Sequence, residues 1–295
     1  MRAAFTEKYM EDLVTNDGYV IVDFLNPDEL EEIQKNTKEL GFGIYNEEIL
    51  RITITHDSVE EKNEIFEKFS SVLQNAANKF LQNYKLIRVA IFDKLPGGGW
   101  VRPHQHPHLV DESKYKSLAI WIPLTDTTVE MGTLHVVNGS LKIFIHKIRT
   151  HNDTRAFEGV SRKIIKKYST PLPLKAGQAV IFHDRLIHWS PPNKSSRIRT
   201  AFALELMPKE SELIIYYRDN DQDLLKYAID AKTFQASVFP LKRKPDNLEL
   251  LGIIKQSYIS YNNRQFIAMM QGACSNSTNR NRNLFQRLFN RQSPG

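Results

Sequence analysis

Gly177-Gln178-Ala179-Val180-Ile181-Phe182-His183-Asp184-Arg185-Leu186-Ile187-His188-Trp189-Ser190 is the stretch on which the fold of this chain turns. A glycine suited to a turn feeds an apolar run, and the run ends in a polar cluster that includes His188. Pro191-Pro192-Asn193-Lys194-Ser195-Ser196 then reads as a tight turn. The chain returns as Arg197-Ile198-Arg199-Thr200-Ala201-Phe202-Ala203-Leu204. This reading predicts a hairpin that sets Arg199 near the His188 end of the first strand. Arg197 competes for that place, because residues two apart on a strand share a side.

Outward from this stretch the same texture continues. Short apolar runs separated by Gly, Pro and Asn predict strands at Leu86–Leu95, Ser117–Leu124, Thr133–Val137, Ala179–His183 and Ile198–Met207, with another at Leu213–Tyr217. Before them, Gly18–Phe24 reads as a turn and a short strand. Asn26-Pro27-Asp28-Glu29 then opens a helix: Asn26 caps free N–H groups, Pro27 suits the first turn and the acids favour its positive end. Leu30, Ile33, Thr37 and Leu40 mark its buried face, and Gly41 is a stop. A second helix is expected from about Ser58 to Leu81, with Ile65, Phe69, Val72, Ala76 and Phe80 on one side. Many short strands after two early helices predict a β-sandwich or barrel braced by helices. The region Glu210–Gln271 reads as mixed and mostly helical.

A second stretch carries chemistry. Pro103-His104-Gln105-His106-Pro107-His108 holds three of the nine histidines. On an extended chain His104 and His106 share a face, and Pro107 breaks the pattern for His108. A histidine pair in a loop is usually structural or incidental, but His188 far downstream gives this one a partner. Asp184 is placed to orient an imidazole from behind. His135, His146, His151 and His56 read as incidental.

Composition bounds the rest. The chain has 295 residues, 41% of them hydrophobic and 25% charged, as in an ordinary globular protein. Residues 1–272 are expected to form one domain, and 273–295 a basic, disordered tail in which Leu284–Phe289 could make an amphipathic turn. That tail contains Arg280, Arg282, Arg287 and Arg291 and no acid, so the net charge of +6 overstates a nearly neutral body. A nucleic-acid-binding surface over the whole protein is therefore not expected. The single cysteine, Cys274, allows no disulfide framework within the chain, which makes a reducing, cytoplasmic setting the default. Acidic residues interrupt the N-terminus where a signal peptide needs an apolar run, and no stretch is long and apolar enough to predict a membrane span. Between Leu141 and Leu172 lie eight Lys and Arg against Asp153 and Glu158. They form either a solvated face or a surface that greets an anionic substrate.

Taken together, these pieces resemble the phytanoyl-CoA dioxygenase family of iron(II)/2-oxoglutarate oxygenases. The similarity runs roughly from Gly18 to Met207. It includes Gly18–Phe24 with its helix, His104-Gln105, Val110-Asp111-Glu112, Leu118–Asp126, Gly132–Val137 with Gly139-Ser140, His188-x-Ser190, Asn193 and Arg199. The resemblance implies a double-stranded β-helix, a jelly roll of cupin-like build with flanking helices. It implies iron(II) bound by His104 and His188, and 2-oxoglutarate as cosubstrate. The reaction would be oxidation of a small organic molecule by O2. It assigns Arg199 to the far carboxylate of 2-oxoglutarate, where a planar guanidinium fork serves better than an ammonium. Ser190 would bind the same carboxylate, and Trp121 matches a position lining that pocket. Trp121 is equally readable as a core aromatic.

One residue departs from the family. Its metal motif is His-x-Asp, whereas this chain has His104-Gln105-His106. A third imidazole removes one negative charge and opens the site to zinc, copper or nickel. Three readings follow. His104, His106 and His188 together hold iron. Alternatively Asp111 or Asp184 supplies the carboxylate and His106 turns aside, or the site is degenerate and the fold serves binding or scaffolding. A three-histidine dioxygenase that uses no 2-oxoglutarate is a further rival. The sequence leaves the oligomeric state open.

Overall fold

A computed structural model of the chain describes residues 2–44, 49–142, 148–152 and 155–275. In chain order it contains α1 (Lys8–Asp17), β1 (Tyr19–Asp23), α2 (Pro27–Glu39), β2 (Leu50–Ile52), α3 (Val59–Asn78), β3 (Tyr84–Lys94), β4 (Val101–His104), β5 (Leu118–Pro123), β6 (Leu134–Val137), α4 (Arg162–Lys167), β7 (Ser169–Leu172), β8 (Gln178–His183), β9 (His188–Ser190), β10 (Arg199–Pro208), β11 (Ile214–Arg218), β12 (Asp223–Ala228), α5 (Ala231–Ala236), β13 (Leu250–Lys255) and α6 (Asn263–Ser275). The strand order is β1-β8-β5-β10-β3-β2 in a major sheet and β4-β9-β6-β7 in a minor one. The fold is therefore the expected jelly roll with flanking helices.

Alternation along the central strands creates two cores. Leu118, Ile120 and Ile122 of β5, with Phe202, Leu204 and Leu206 of β10, face outward onto α2 and α3. There they meet Ile33, Phe69 and Leu73, and Phe69 contacts Phe202 edge-on at 4.8 Å. The intervening residues Ala119, Trp121, Ala201, Val180 and Phe182 face inward and pack against Leu134, Val136 and Leu172 of the minor sheet. Because both faces are covered, β5 reads as one continuous apolar run.

The first helix of the sequence reading is confirmed in detail. Asn26 and Glu29 form a reciprocal capping box, and Ile33 and Thr37 are buried. The second runs from its Ser58 cap to Asn78. Helix α1 was missed. It stops at Gly18, whose φ of +91° is a left-handed conformation that favours glycine.

Three expectations need correction. The chain makes no hairpin through Pro191–Ser196: β8 pairs with β1 and β5, β9 with β4 and β6, and β10 with β3 and β5. Each turn crosses from one sheet to the other. A turn closed by Leu186 N–H on the His183 carbonyl (2.8 Å) redirects the chain outward from β8. Asn193, bonded to the carbonyls of Lys94 and Arg197, directs it back. Secondly, Glu210–Gln271 is not mostly helical. Three of its segments form the sheet β11-β12-β13, whose first turn is held by Asn220 accepting from the backbones of Gln222 and Asp223. Thirdly, residues 273–275 complete α6 rather than begin a tail. Segment 276–295, with the Leu284–Phe289 turn, lies outside the described residues, as does His146. Among the described residues no helix is long and apolar enough to cross a membrane.

Candidate metal centre and anion pocket

The edge of the minor sheet builds the site. β4 and β9 pair antiparallel with His104 opposite His188, so both rings leave the sheet side by side. Their centroids are 4.2 Å apart. β4 ends at His104, and His106 is set by two tethers outside the strand: its own N–H donates to the Asp184 carbonyl (2.9 Å), and its carbonyl accepts from Arg149 Nε (2.5 Å). Its centroid lies 5.8 Å from His104 and 4.8 Å from His188. One ligand nitrogen from each of the three rings falls within 4.8 Å of the others.

The far side of each ring decides which nitrogen is offered. His104 Nδ1 faces the Arg102 carbonyl at 2.7 Å, and His188 Nδ1 faces the Leu186 carbonyl at 2.9 Å. A carbonyl only accepts, so Nδ1 carries the proton and Nε2 keeps its lone pair for a metal. His106 Nδ1 lies 3.3 Å from Asp184 Oδ1 without a hydrogen bond aligned between them. Burial pulls the His104 imidazolium down to about 4 and pushes His188 well down, the neighbouring histidines adding to both. For His106 burial acts the same way, but the Asp184 carboxylate outweighs it and the net direction is upward. The set fits a divalent cation such as iron(II) or zinc: imidazole donors oriented from behind, at mutual distances one ion can span.

The carboxylate alternatives do not reach the centre. Asp111 is exposed and bonds Ser113. Asp184 is fully buried behind His106. His108 is not a surface histidine. It is buried, its Nδ1 accepts from Arg149 N–H (3.0 Å) and its Nε2 faces Glu112 Oε2 at 3.2 Å. Glu112 also accepts from Arg185 Nε (2.6 Å) and from Arg149, so this network clamps the loop that carries His106.

Two residues beyond His188, Ser190 meets a buried basic pair. Arg199 and Lys94 face each other across β10 and β3, and both are buried. Arg199 Nη1 donates to the Gly132 carbonyl (2.7 Å) and to Ser190 Oγ (3.2 Å), while its Nε has no partner among the described residues. Lys94 Nζ donates to Ser190 Oγ (2.6 Å) and the Pro191 carbonyl (2.8 Å). Neither cation forms an ion pair among the described residues. Burial, and then the charge of Arg199, pushes the Lys94 ammonium down to about 6. The charge of buried Asp93 reaches Arg199, but Asp93 is bonded to Thr200 and pairs with neither residue, which leaves the guanidinium able to take a further anion. The Arg199 guanidinium carbon lies 5.4 Å from the Trp121 ring centroid, so Trp121 is both inter-sheet core and pocket wall. Gly132, at φ +68°, leaves no room for a Cβ, which would sit 2.3 Å from the Pro191 carbonyl.

The sequence-derived residues His104, His106, His188, Ser190, Arg199 and Trp121 thus converge. Arg197 is exposed and drops out. Lys94 was missed, although a lysine closing the apolar strand Leu86–Leu95 was a visible signal. The basic stretch divides: Arg149 holds the His106 loop, whereas α4 packs through Ile165 with Trp189, the side of β9 turned away from His188, and its Lys163, Lys166 and Lys167 are exposed.

The fold and site define a jelly-roll protein with a cluster of three histidines able to hold a metal ion, next to a buried Arg–Lys pair. A model of the phytanoyl-CoA dioxygenase family matches residues 14–201. The chain belongs to that family. It is 27% identical over 195 residues to phytanoyl-CoA dioxygenase domain-containing protein 1 of Danio rerio, covering 63% of this chain and 62% of that one. It is 32% identical over 129 residues to a phytanoyl-CoA dioxygenase of Arabidopsis thaliana, covering 43% and 45%. The matches thus span less than two thirds of these relatives' own length. Among solved structures, the epimerase SnoN in complex with Fe3+, alpha ketoglutarate and nogalamycin RO shares the fold, with a TM-score of 0.50 and 16% identity over 83% of this chain and 98% of that one.

Proposed function

We propose that this chain is an iron(II)- and 2-oxoglutarate-dependent oxygenase of a small organic substrate, its metal held by His104, His106 and His188. The observation that carries the reading is the meeting of that cluster with the buried Arg199–Lys94 pair. A buried guanidinium beside a buried lysine, with no ion pair among the described residues, suits a carboxylate such as the distal one of 2-oxoglutarate, and a metal scaffold has no need of it. Bound iron(II) supplies the activation of dioxygen that turns 2-oxoglutarate into succinate and oxidises a substrate C–H bond. The chain's own residues do the positioning. Arg199, Lys94 and Ser190 hold the distal carboxylate, and Trp121 walls the pocket. The Arg102 and Leu186 carbonyls fix the His104 and His188 rings, and the Asp184 carboxylate stands 3.3 Å behind His106.

Asp184 compensates for the missing carboxylate ligand. Placed behind His106, its negative charge makes that imidazole a stronger donor, the role of an acid backing a ligating histidine. Asp184→Asn is expected to weaken iron(II) binding about 10- to 100-fold, whereas Asp111→Asn leaves it unchanged. Anaerobic metal titration checks this. Equal retention in both variants rules out the compensation.

Lys94 sets the pH dependence of cosubstrate binding. Free, its ammonium titrates at about 6. A bound dianion favours the charged form, so binding above that pH takes up a proton, and affinity falls as pH rises through the window between there and the usual lysine value of 10.5. Calorimetry at about pH 8 in buffers of different ionisation enthalpy is expected to show uptake of about one proton. Uptake of none would mean that Lys94 is already charged.

The overall test is iron-dependent conversion of 2-oxoglutarate to succinate by the full-length protein. Iron binding without 2-oxoglutarate binding would refute the reading.

A further inference from the structure

The inward positions of β3 and β10 form a track past the metal centre. Their register pairs Lys94 with Arg199, Phe92 with Ala201, Ala90 with Ala203 and Arg88 with Glu205. The first pair is the anion pocket. The two facing alanines leave a gap, and a pocket opens there that touches His104 and His106 and is walled by Phe92, Ile54 and Phe239. At its far end stand Arg88 and Glu205.

That end is incompletely bonded. Arg88 is buried, with Nη2 donating to the Phe234 carbonyl (2.5 Å) and Ser237 Oγ (2.7 Å) and with its guanidinium 3.7 Å over the Phe234 ring. Among the described residues its Nε–H has no acceptor. Glu205 Oε2 accepts no hydrogen bond and lies 3.6 Å from Arg88 Nη1, beyond bonding distance. A buried ion pair stabilises a fold only when its remaining donors and acceptors are satisfied. In this pair an unpartnered donor and an unpartnered acceptor belong to two residues that line the same apolar pocket.

We propose that Arg88 and Glu205 are the substrate-reading residues, and that they select a molecule whose polar end carries an acceptor and a donor side by side with no net charge. The α-carboxylate and α-ammonium of an amino acid meet this description, and so does a carboxamide. The acceptor oxygen takes the Arg88 N–H, and the substrate N–H donates to Glu205. An apolar body then lies against Phe92, Ile54 and Phe239, within the pocket that His104 and His106 line. The opposed charges of the pair disfavour a lone anion, because Glu205 repels it, and a lone cation, because Arg88 does. The exposed lysines of α4 take no part. The inference rests on the oxygenase reading only for what happens to the bound molecule.

The test uses four probes that share an isobutyl body: leucine, 4-methylpentanamide, 4-methylpentanoate and 3-methylbutylamine. Each is titrated anaerobically into the full-length protein supplied with iron(II) and 2-oxoglutarate, with binding of both measured on the same samples. Leucine or the amide is expected to bind at least about tenfold tighter than the acid and the amine. Whichever of the two wins identifies the polar end. Glu205→Gln, which removes only a charge, is expected to raise the acid relative to leucine by about tenfold, and Arg88→Gln to raise the amine likewise. If Arg88→Gln does not fold, the wild-type ranking and Glu205→Gln decide. An acid ranked first in the wild type, or an order that Glu205→Gln leaves unchanged, overturns the proposal. The ranking without 2-oxoglutarate binding keeps this pocket and sinks the oxygenase reading. Bound 2-oxoglutarate without the ranking does the reverse.

Discussion

Arg199→Leu abolishes measurable 2-oxoglutarate binding and leaves the metal in place. The expected loss is on the order of 2–5 kcal/mol, roughly 30-fold to several thousand-fold in affinity, because a buried carboxylate would lose its charge-assisted partner in a water-poor pocket. The fold tolerates the change. Gly132 keeps its bond from Ser190 Oγ (2.7 Å), and no metal-site histidine touches the guanidinium. Arg199→Lys does not rescue, since a point charge cannot replace the fork. Lys94→Met is the milder comparison, because Arg199 and Ser190 remain, and it is expected to remove the pH dependence described above. Calorimetric titration of 2-oxoglutarate into iron-loaded protein reads all three. Undiminished binding by Arg199→Leu would remove Arg199 as the anchor.

Glu112→Gln destabilises the whole domain, by about 3–5 kcal/mol. Glu112 is buried and satisfies Arg149, Arg185 and His108 together. Without its charge, two arginines are left beside a neutral amide. Burial by itself would push the carboxyl up, but Arg149, His108 and Arg185 bring it down to about 2. Its contribution is therefore full above the unfolded value of 4.5 and is lost as pH falls from there through about 2. Because Arg149 also holds the His106 carbonyl, metal affinity falls with stability. Urea unfolding of the apo-protein gives the first effect and metal titration the second. Glu158→Gln is the control: its pair with Arg102 is exposed, with 69% and 44% of the two side chains open to solvent. It is expected to cost less than about 1 kcal/mol. If the two variants unfold alike, the clamp has no energetic role.

Much of the site was legible because local chemistry wrote it. His104 and His106 are two residues apart and His188 follows a strand, so the ligand types and their spacing stood in the sequence. The helix at Pro27 was legible down to its cap, since Asn26 and Glu29 act within one turn. The strands were legible because burial on both faces leaves continuous apolar runs. Other features were not. Lys94 and Arg88 look like ordinary strand ends and interruptions until the β3–β10 register places them inside the barrel. The setting of His108 was not legible either, because its partners Glu112 and Arg149 are brought to it by the fold. Beyond Glu210 the strand at Leu213–Tyr217 was legible as β11, but its partners β12 and β13 were missed because their pairing is made across turns that propensity alone does not weight.

The sequence by itself determined which groups exist and their order: three imidazoles without the family carboxylate, a guanidinium, a serine and the alternating strands that carry them. Only the tertiary structure decided which of those groups meet. It sent β9 and β10 into opposite sheets, turned Arg199 inward and left Arg197 in solvent. It also stood Asp184 behind His106 rather than at the centre. The physical reason is that side-chain type is local, whereas direction is set by register, and register is fixed by hydrogen bonds between segments far apart in the chain.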